Sequence, residues 1–129
     1  MLVKILDNGT VEPITTQAHE RRFQQWNQNI TAGHFERVCD ALNAFIDHEG
    51  QGEIVTSSWI PGADWTGTPY EPIWQAVGED WDTARFFFGL IVWYVFMNRP
   101  ETWAFGRYPK NQGDVIGLTY FRVHIPSLV

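Results

Sequence analysis

One loop of this sequence brings together residue types that could bind a small molecule. It runs from Trp59 to Trp74 and contains Pro and Gly throughout. Long ordered loops are often functional, and small-molecule pockets are mainly apolar and aromatic with a few polar groups. The alternative is that a rigid loop covers the core with its rings. The ligand-binding residues predicted in this loop are Trp59, Asp64, Trp65, Tyr70 and Trp74.

Two charged residues could fix the orientation of such a ligand. A carboxylate at Asp64, held against tryptophan faces, can recognise a cation or act as a base when burial raises its pKa. Aspartate is also a common turn former that bonds its own backbone. Arg107 lies between Phe105 and Tyr108, and its guanidinium fork can bind a carboxylate. The alternative for Arg107 is a solvated side chain at the edge of a strand.

The residues that commonly hold metals or act as nucleophiles do not form a recognisable pattern. Cys39 lies on the apolar face of a predicted helix, where cysteine behaves as a small hydrophobic residue. No two histidines have the spacing of a helical zinc site. The sequence also has no P-loop, dinucleotide fingerprint or calcium loop, so we expect no metal and no cofactor. The histidines are His19, His34, His48 and His124.

Composition and charge exclude several classes of protein. The hydrophobic fraction of 44% and the charged fraction of 19% are typical of a globular chain. The net charge is −6, whereas nucleic-acid binding depends on positive charge, so no nucleic-acid partner is expected. A single cysteine allows no internal disulfide, and the first residues lack a signal peptide's apolar segment. These features predict a cytoplasmic protein.

The pattern of elements predicts a single α+β domain over residues 1–129, with an antiparallel sheet of three to five strands. Asn8-Gly9 between two short apolar segments is a strong hairpin signal. Residues 53–60 are rich in β-branched side chains and predict another strand. Residues 102–108 and 115–125 predict a second hairpin.

About four helices are expected to pack on this sheet. Thr15 or Thr16 is a predicted cap for the first helix, and Pro72 suits the start of the third. The second helix repeats apolar residues with the helical period from Phe35 to Ile46. The fourth, over residues 81–97, is apolar on nearly every side. It is therefore expected at the centre of the fold, and its apolar run is too short for a bilayer core of roughly 30 Å.

Several stretches resemble small bacterial proteins of unknown activity that are carried on mobile integron gene cassettes. The stretches are GEIVTSSWIPG at 52–62, DWTGTPY at 64–70, FGRY at 105–108 and GLTYFRV at 117–123. The resemblance implies a stand-alone bacterial cytoplasmic product. It carries no catalytic pattern, so it assigns no role to any residue.

Three functions are compatible with these residues. The first is a binding module for a small organic or cationic ligand, in which the loop rings form walls and Asp64 supplies charge. A well-placed ring contributes about 0.5–2 kcal/mol to cation binding. The second is a small hydrolase or isomerase with Asp64 or a histidine as general base. The third is an interaction protein whose many aromatic residues form a homodimer interface.

Overall fold

In the computed structural model, the residues described are 1–49, 53–55, 65–107 and 118–123. The side chains of residues 49, 53–55, 107 and 118 lie outside this description. The strands are β1 (Leu2–Ile5), β2 (Val11–Ile14), β3 (Glu53–Val55), β4 (Trp103–Arg107) and β5 (Leu118–Arg122). The helices are α1 (Glu20–Asn27), α2 (Ala32–Glu49), α3 (Glu71–Ala76) and α4 (Trp81–Asn98). The α+β class with about four helices is confirmed for this part of the chain.

The described strands form one sheet in the order β2-β1-β4-β5-β3. Three neighbouring pairs are antiparallel, as expected. The fourth pair, β1 with β4, is parallel, with Leu2 opposite Trp103. The sheet is therefore mixed rather than wholly antiparallel. The reason is that β1 and β4 are connected through the helical part of the chain, and such long crossovers can join parallel strands whereas a tight hairpin cannot.

The first hairpin forms where the sequence predicts it. Gly9 adopts a positive φ of 85°, which glycine tolerates because it has no Cβ. The side-chain oxygen of Asn8 accepts hydrogen bonds from the backbone nitrogen and the hydroxyl of Thr10, at 3.0 and 2.6 Å. These bonds close the turn between β1 and β2.

The start of α1 differs from the expected position. The helix begins at Glu20, and His19 precedes it in the left-handed conformation with φ 47°. Neither Thr15 nor Thr16 caps it, and His19 makes no side-chain capping bond. The ring of His19 instead packs edge-on against Phe86 of α4, with the centroids 5.1 Å apart. A contact with a distant helix thus determines this boundary.

Helix α4 is the centre of the described fold, as its composition predicts. It contacts α1, α2, α3 and β1. Its Phe96 stacks on Tyr120 of β5 with centroids 4.1 Å apart and meets Trp103 of β4 at 4.8 Å. None of the helices in the described ranges combines the length and apolar character needed to span a membrane.

A buried arginine joins the end of α4 to α2 and β4. The side chain of Arg99 is 11% exposed. Its Nε donates to Glu101 at 2.7 Å, and its other nitrogens donate to Asn43 and Asp47 of α2. Glu101 also accepts a hydrogen bond from the indole of Trp103 at 2.7 Å. This network, which we call the Arg99 network, fixes α2 relative to the sheet.

Candidate functional site

The aromatic loop is anchored by Trp65, whose side chain has no exposed area. Its ring meets Trp81 and Phe88 of α4 edge-on, with centroids 5.6 and 5.9 Å apart. Burying a ring of this size removes a large apolar area from water. Trp65 therefore packs in the core. The sequence instead predicted that its ring forms part of the wall of a ligand pocket.

Tyr70 and Trp74 also pack towards the core. The Tyr70 ring lies edge-on to Phe88 at 5.3 Å, and burial raises the pKa of its phenol. Trp74 is half-buried against the same cluster of apolar side chains. These two rings therefore pack against the core, as Trp65 does. The sequence predicted that they form the open walls of a pocket.

The other three predicted site residues fall partly or wholly outside the description. Trp59 and Asp64 lie outside the described residues. The backbone of Arg107 ends β4, but its side chain is not among those described. The roles proposed for these three residues stay predictions.

Thr68 organises the turn that follows Trp65. Its hydroxyl donates to the carbonyl oxygen of Trp65 at 2.7 Å and accepts from the backbone nitrogen of Tyr70 at 3.2 Å. Gly67 adopts a φ of 79°, and its backbone nitrogen donates to the carboxylate of Glu71 at 3.4 Å. The rings on this turn are held against α4 by these bonds, while Thr68 and Glu71 face a neighbouring cleft.

This cleft lies between the turn, α3 and the first turns of α2, and we call it the loop–helix cleft. Its volume is about 400 Å³, within the roughly 300–1,000 Å³ of small-molecule sites. The turn and α3 supply a hydroxyl from Thr68, a carboxylate from Glu71, an amide from Gln75 and the rings of Pro69 and Pro72. The cleft therefore combines polar groups with a small apolar surface.

The opposite wall of the cleft is formed by His34 and Arg37 of α2. Thr31 caps this helix, because its hydroxyl accepts from the backbone nitrogen of His34 at 3.1 Å. Phe35 turns the other way and meets Tyr94 of α4 at 5.3 Å. The cap and the half-buried Phe35 together hold the first turns of α2, and the cleft-facing side chains with them, against the rest of the fold.

The cleft carries charges of both signs. Arg37 is exposed, and its one hydrogen bond in the described structure is from Nε to the carbonyl oxygen of Gly33, at 3.5 Å. Glu71 is half-buried and accepts from Gly67 through one carboxylate oxygen. Neither side chain forms an ion pair with any residue in the described ranges. Arg37 and Glu71 are therefore both available to a polar ligand.

Of the predicted ligand-binding residues whose side chains are described, namely Trp65, Tyr70 and Trp74, none lines the loop–helix cleft. Thr68 and Glu71 belong to the aromatic loop, but neither is among the ligand-binding residues predicted from the sequence. His34 and Arg37 were missed as site residues because they lie more than thirty positions earlier in the chain. Only the helical period, which places Arg37 away from the core, gave a signal, and it does not indicate which loop lies opposite.

The residues considered for nucleophilic or base chemistry are dispersed. Cys39 is half-buried, and burial raises the pKa of its thiol to about 11, as expected of a core cysteine. Among the histidines, His34 lines the cleft, His48 lies in the last turn of α2, and His124 lies outside the described residues. In the described part of the chain, no three His, Cys, Asp or Glu residues are grouped so that they could hold a metal ion.

The aromatic residues are accommodated within one chain as far as it is described. Trp59 and Tyr108 lie outside the description, and every other aromatic side chain is buried or half-buried. Among the described residues, the exposed large hydrophobic side chain is Ile5, at 48%. An excess of exposed aromatic surface was the reason for predicting a homodimer, and these residues do not provide it. Homodimerisation itself stays a prediction.

Comparisons with known proteins leave the site unassigned. No protein-family model matches the chain, and no curated protein or solved structure matches it either. The resemblance to integron cassette proteins therefore stays a prediction.

Proposed function

We propose that the protein is a binding module for a small organic molecule and that the loop–helix cleft is its binding site. The observation that carries the proposal is the cleft of about 400 Å³ next to the turn at residues 65–71. Its size and its mixture of apolar and polar walls suit a small ligand. The cleft is also lined by Thr68 and Glu71, two polar residues of the aromatic loop between Trp59 and Trp74.

The rigidity of both walls supports this proposal. Trp65 anchors one wall in the core, and the hydroxyl of Thr68 closes the turn with two hydrogen bonds. The Thr31 cap and the ring contact of Phe35 with Tyr94 hold the other wall. A preformed site loses little conformational entropy on binding, so that more of the contact energy is available as affinity.

The chemistry of the cleft modifies the role expected of the aromatic rings. Trp65 is buried, so its face cannot hold a cation. Glu71 supplies a carboxylate inside the cleft and can attract a cationic group in the way proposed for Asp64. Apolar contact is provided by Pro69 and Pro72. The proposed ligand is thus a small polar molecule with an apolar portion.

A substitution that fills the cleft tests the proposal. Gln75 is exposed on α3 and lines the cleft, so Gln75→Trp should place an indole in the space that a ligand needs. We expect the affinity of any cleft ligand to fall about ten-fold or more, which corresponds to about 1.4 kcal/mol. The ligands come from a thermal-shift screen of a fragment library, and their affinities are measured by calorimetry.

Gln25→Trp is the matched control, because Gln25 is exposed on α1 and does not line the cleft. It should leave the affinities unchanged. The proposal fails if the screen finds no ligand. It also fails if Gln75→Trp and Gln25→Trp bind every ligand equally well.

A further inference from the structure

We propose further that the ligand of the loop–helix cleft is a small zwitterion, namely a free α-amino acid or a molecule with the same pair of charges. This inference rests on the proposed function. The observation behind it is that Arg37 and Glu71 line the same cleft from opposite walls without forming an ion pair with each other.

Arg37 is suited to the carboxylate of such a ligand. Its hydrogen bond to the carbonyl oxygen of Gly33 uses Nε alone, which leaves the N–H groups of both terminal nitrogens available. A guanidinium presents these donors in a planar fork that matches a carboxylate. Arg37 lies in the second turn of α2.

Glu71 is suited to the ammonium group. One of its carboxylate oxygens accepts from the backbone nitrogen of Gly67, which fixes the orientation of the carboxylate. The second oxygen accepts no hydrogen bond from any described residue. Because Glu71 is half-buried, its attraction for a cation is stronger than that of a fully solvated carboxylate.

A ligand with only one charge would use this cleft poorly. An anion would interact with Arg37 but would also displace water from Glu71, and desolvating a charge without pairing it is costly. A cation would interact with Glu71 but would displace water from Arg37. A zwitterion neutralises both walls, and its remaining carbon atoms can contact Pro69 and Pro72. The volume of about 400 Å³ accommodates a molecule of that size.

Calorimetry with matched compounds tests the inference at neutral pH. The common free amino acids are screened first, and the one that binds best is compared with two analogues. One analogue lacks the ammonium group and the other lacks the carboxylate. We expect the amino acid to bind about ten-fold more tightly than either analogue, because each analogue loses one charged hydrogen bond to the cleft.

Two variants assign the charges to the walls. Arg37→Met should weaken binding of the amino acid about ten-fold without weakening that of the analogue that lacks a carboxylate. Glu71→Gln should weaken it similarly without weakening binding of the analogue that lacks an ammonium group, and glutamine keeps an oxygen that can accept from Gly67. Arg21→Met and Glu36→Gln are the controls, since both residues are exposed and neither lines the cleft. Neither control should change any affinity.

The possible results separate this inference from the proposed function. If fragments bind in the cleft but no amino acid does, or if both analogues bind as well as the amino acid, the zwitterion inference is overturned and the proposed function stands. If either cleft variant affects both analogues equally, the assignment of charges is also overturned. If no compound of any charge binds, both proposals fail.

Discussion

At the scale of single residues, loss of the Arg99 network should measurably lower stability. Glu101 accepts hydrogen bonds from Arg99 and Trp103, and Arg99 is 11% exposed. Glu101→Gln should lower the free energy of unfolding by about 2 kcal/mol or more, because it removes one of the two counterions of a largely buried guanidinium. Urea unfolding measures this. Glu12→Gln, at an exposed position of β2, is the control, and an equal effect of both variants would contradict the expectation.

Glu101 also determines how the stability that the Arg99 network contributes changes with pH. Burial by itself would raise the pKa of Glu101, but the hydrogen bonds from Arg99 and Trp103 outweigh it and lower the pKa below its usual value. A carboxylate with a lowered pKa in the folded state stabilises the protein above the pKa of the unfolded state. That stability is lost as the pH falls through the folded pKa. The difference between the protein and Glu101→Gln should thus be constant near neutral pH and shrink below about pH 4.

At the scale of elements, the start of α2 is both a structural boundary and a wall of the cleft. The hydroxyl of Thr31 accepts from the backbone nitrogen of His34, so Thr31→Ala should destabilise the protein by about 1 kcal/mol. It should also speed amide hydrogen exchange in the first turns of α2. Thr16→Ala is the control, since the Thr16 hydroxyl has no partner among the described residues. If exchange in α2 is unchanged by Thr31→Ala, the cap does not hold this wall.

The elements also show which signals in the sequence were sufficient. The Asn8-Gly9 hairpin and helix α4 could be predicted because their signals are local, namely residues that tolerate a turn and an apolar run of helical length. The start of α1 could not be predicted, because His19 packs on Phe86 of a helix more than sixty residues away. The inward packing of Trp65 depends in the same way on Trp81 and Phe88.

At the scale of the whole molecule, long-range pairing determines both the sheet and the site. The parallel contact between β1 and β4 joins residues about one hundred positions apart, and no local pattern encodes it. The packing of α2 and α3 around α4 likewise brings Arg37 and Glu71 to the same cleft. The sequence could therefore predict the α+β class and the stretch of chain that forms one wall of the cleft, but not the residues that line the cleft or the parallel strand pair.

The central claim is that the loop–helix cleft binds a small molecule, and amide chemical shifts of the isotope-labelled protein test it most directly. The protein is titrated with the compounds that stabilise it in the thermal-shift screen. If the claim is right, the largest shift changes fall within residues 33–38 and 67–75, on the two walls of the cleft, and Gln75→Trp removes them. Shift changes that cluster on another surface, and that persist in Gln75→Trp, would contradict it.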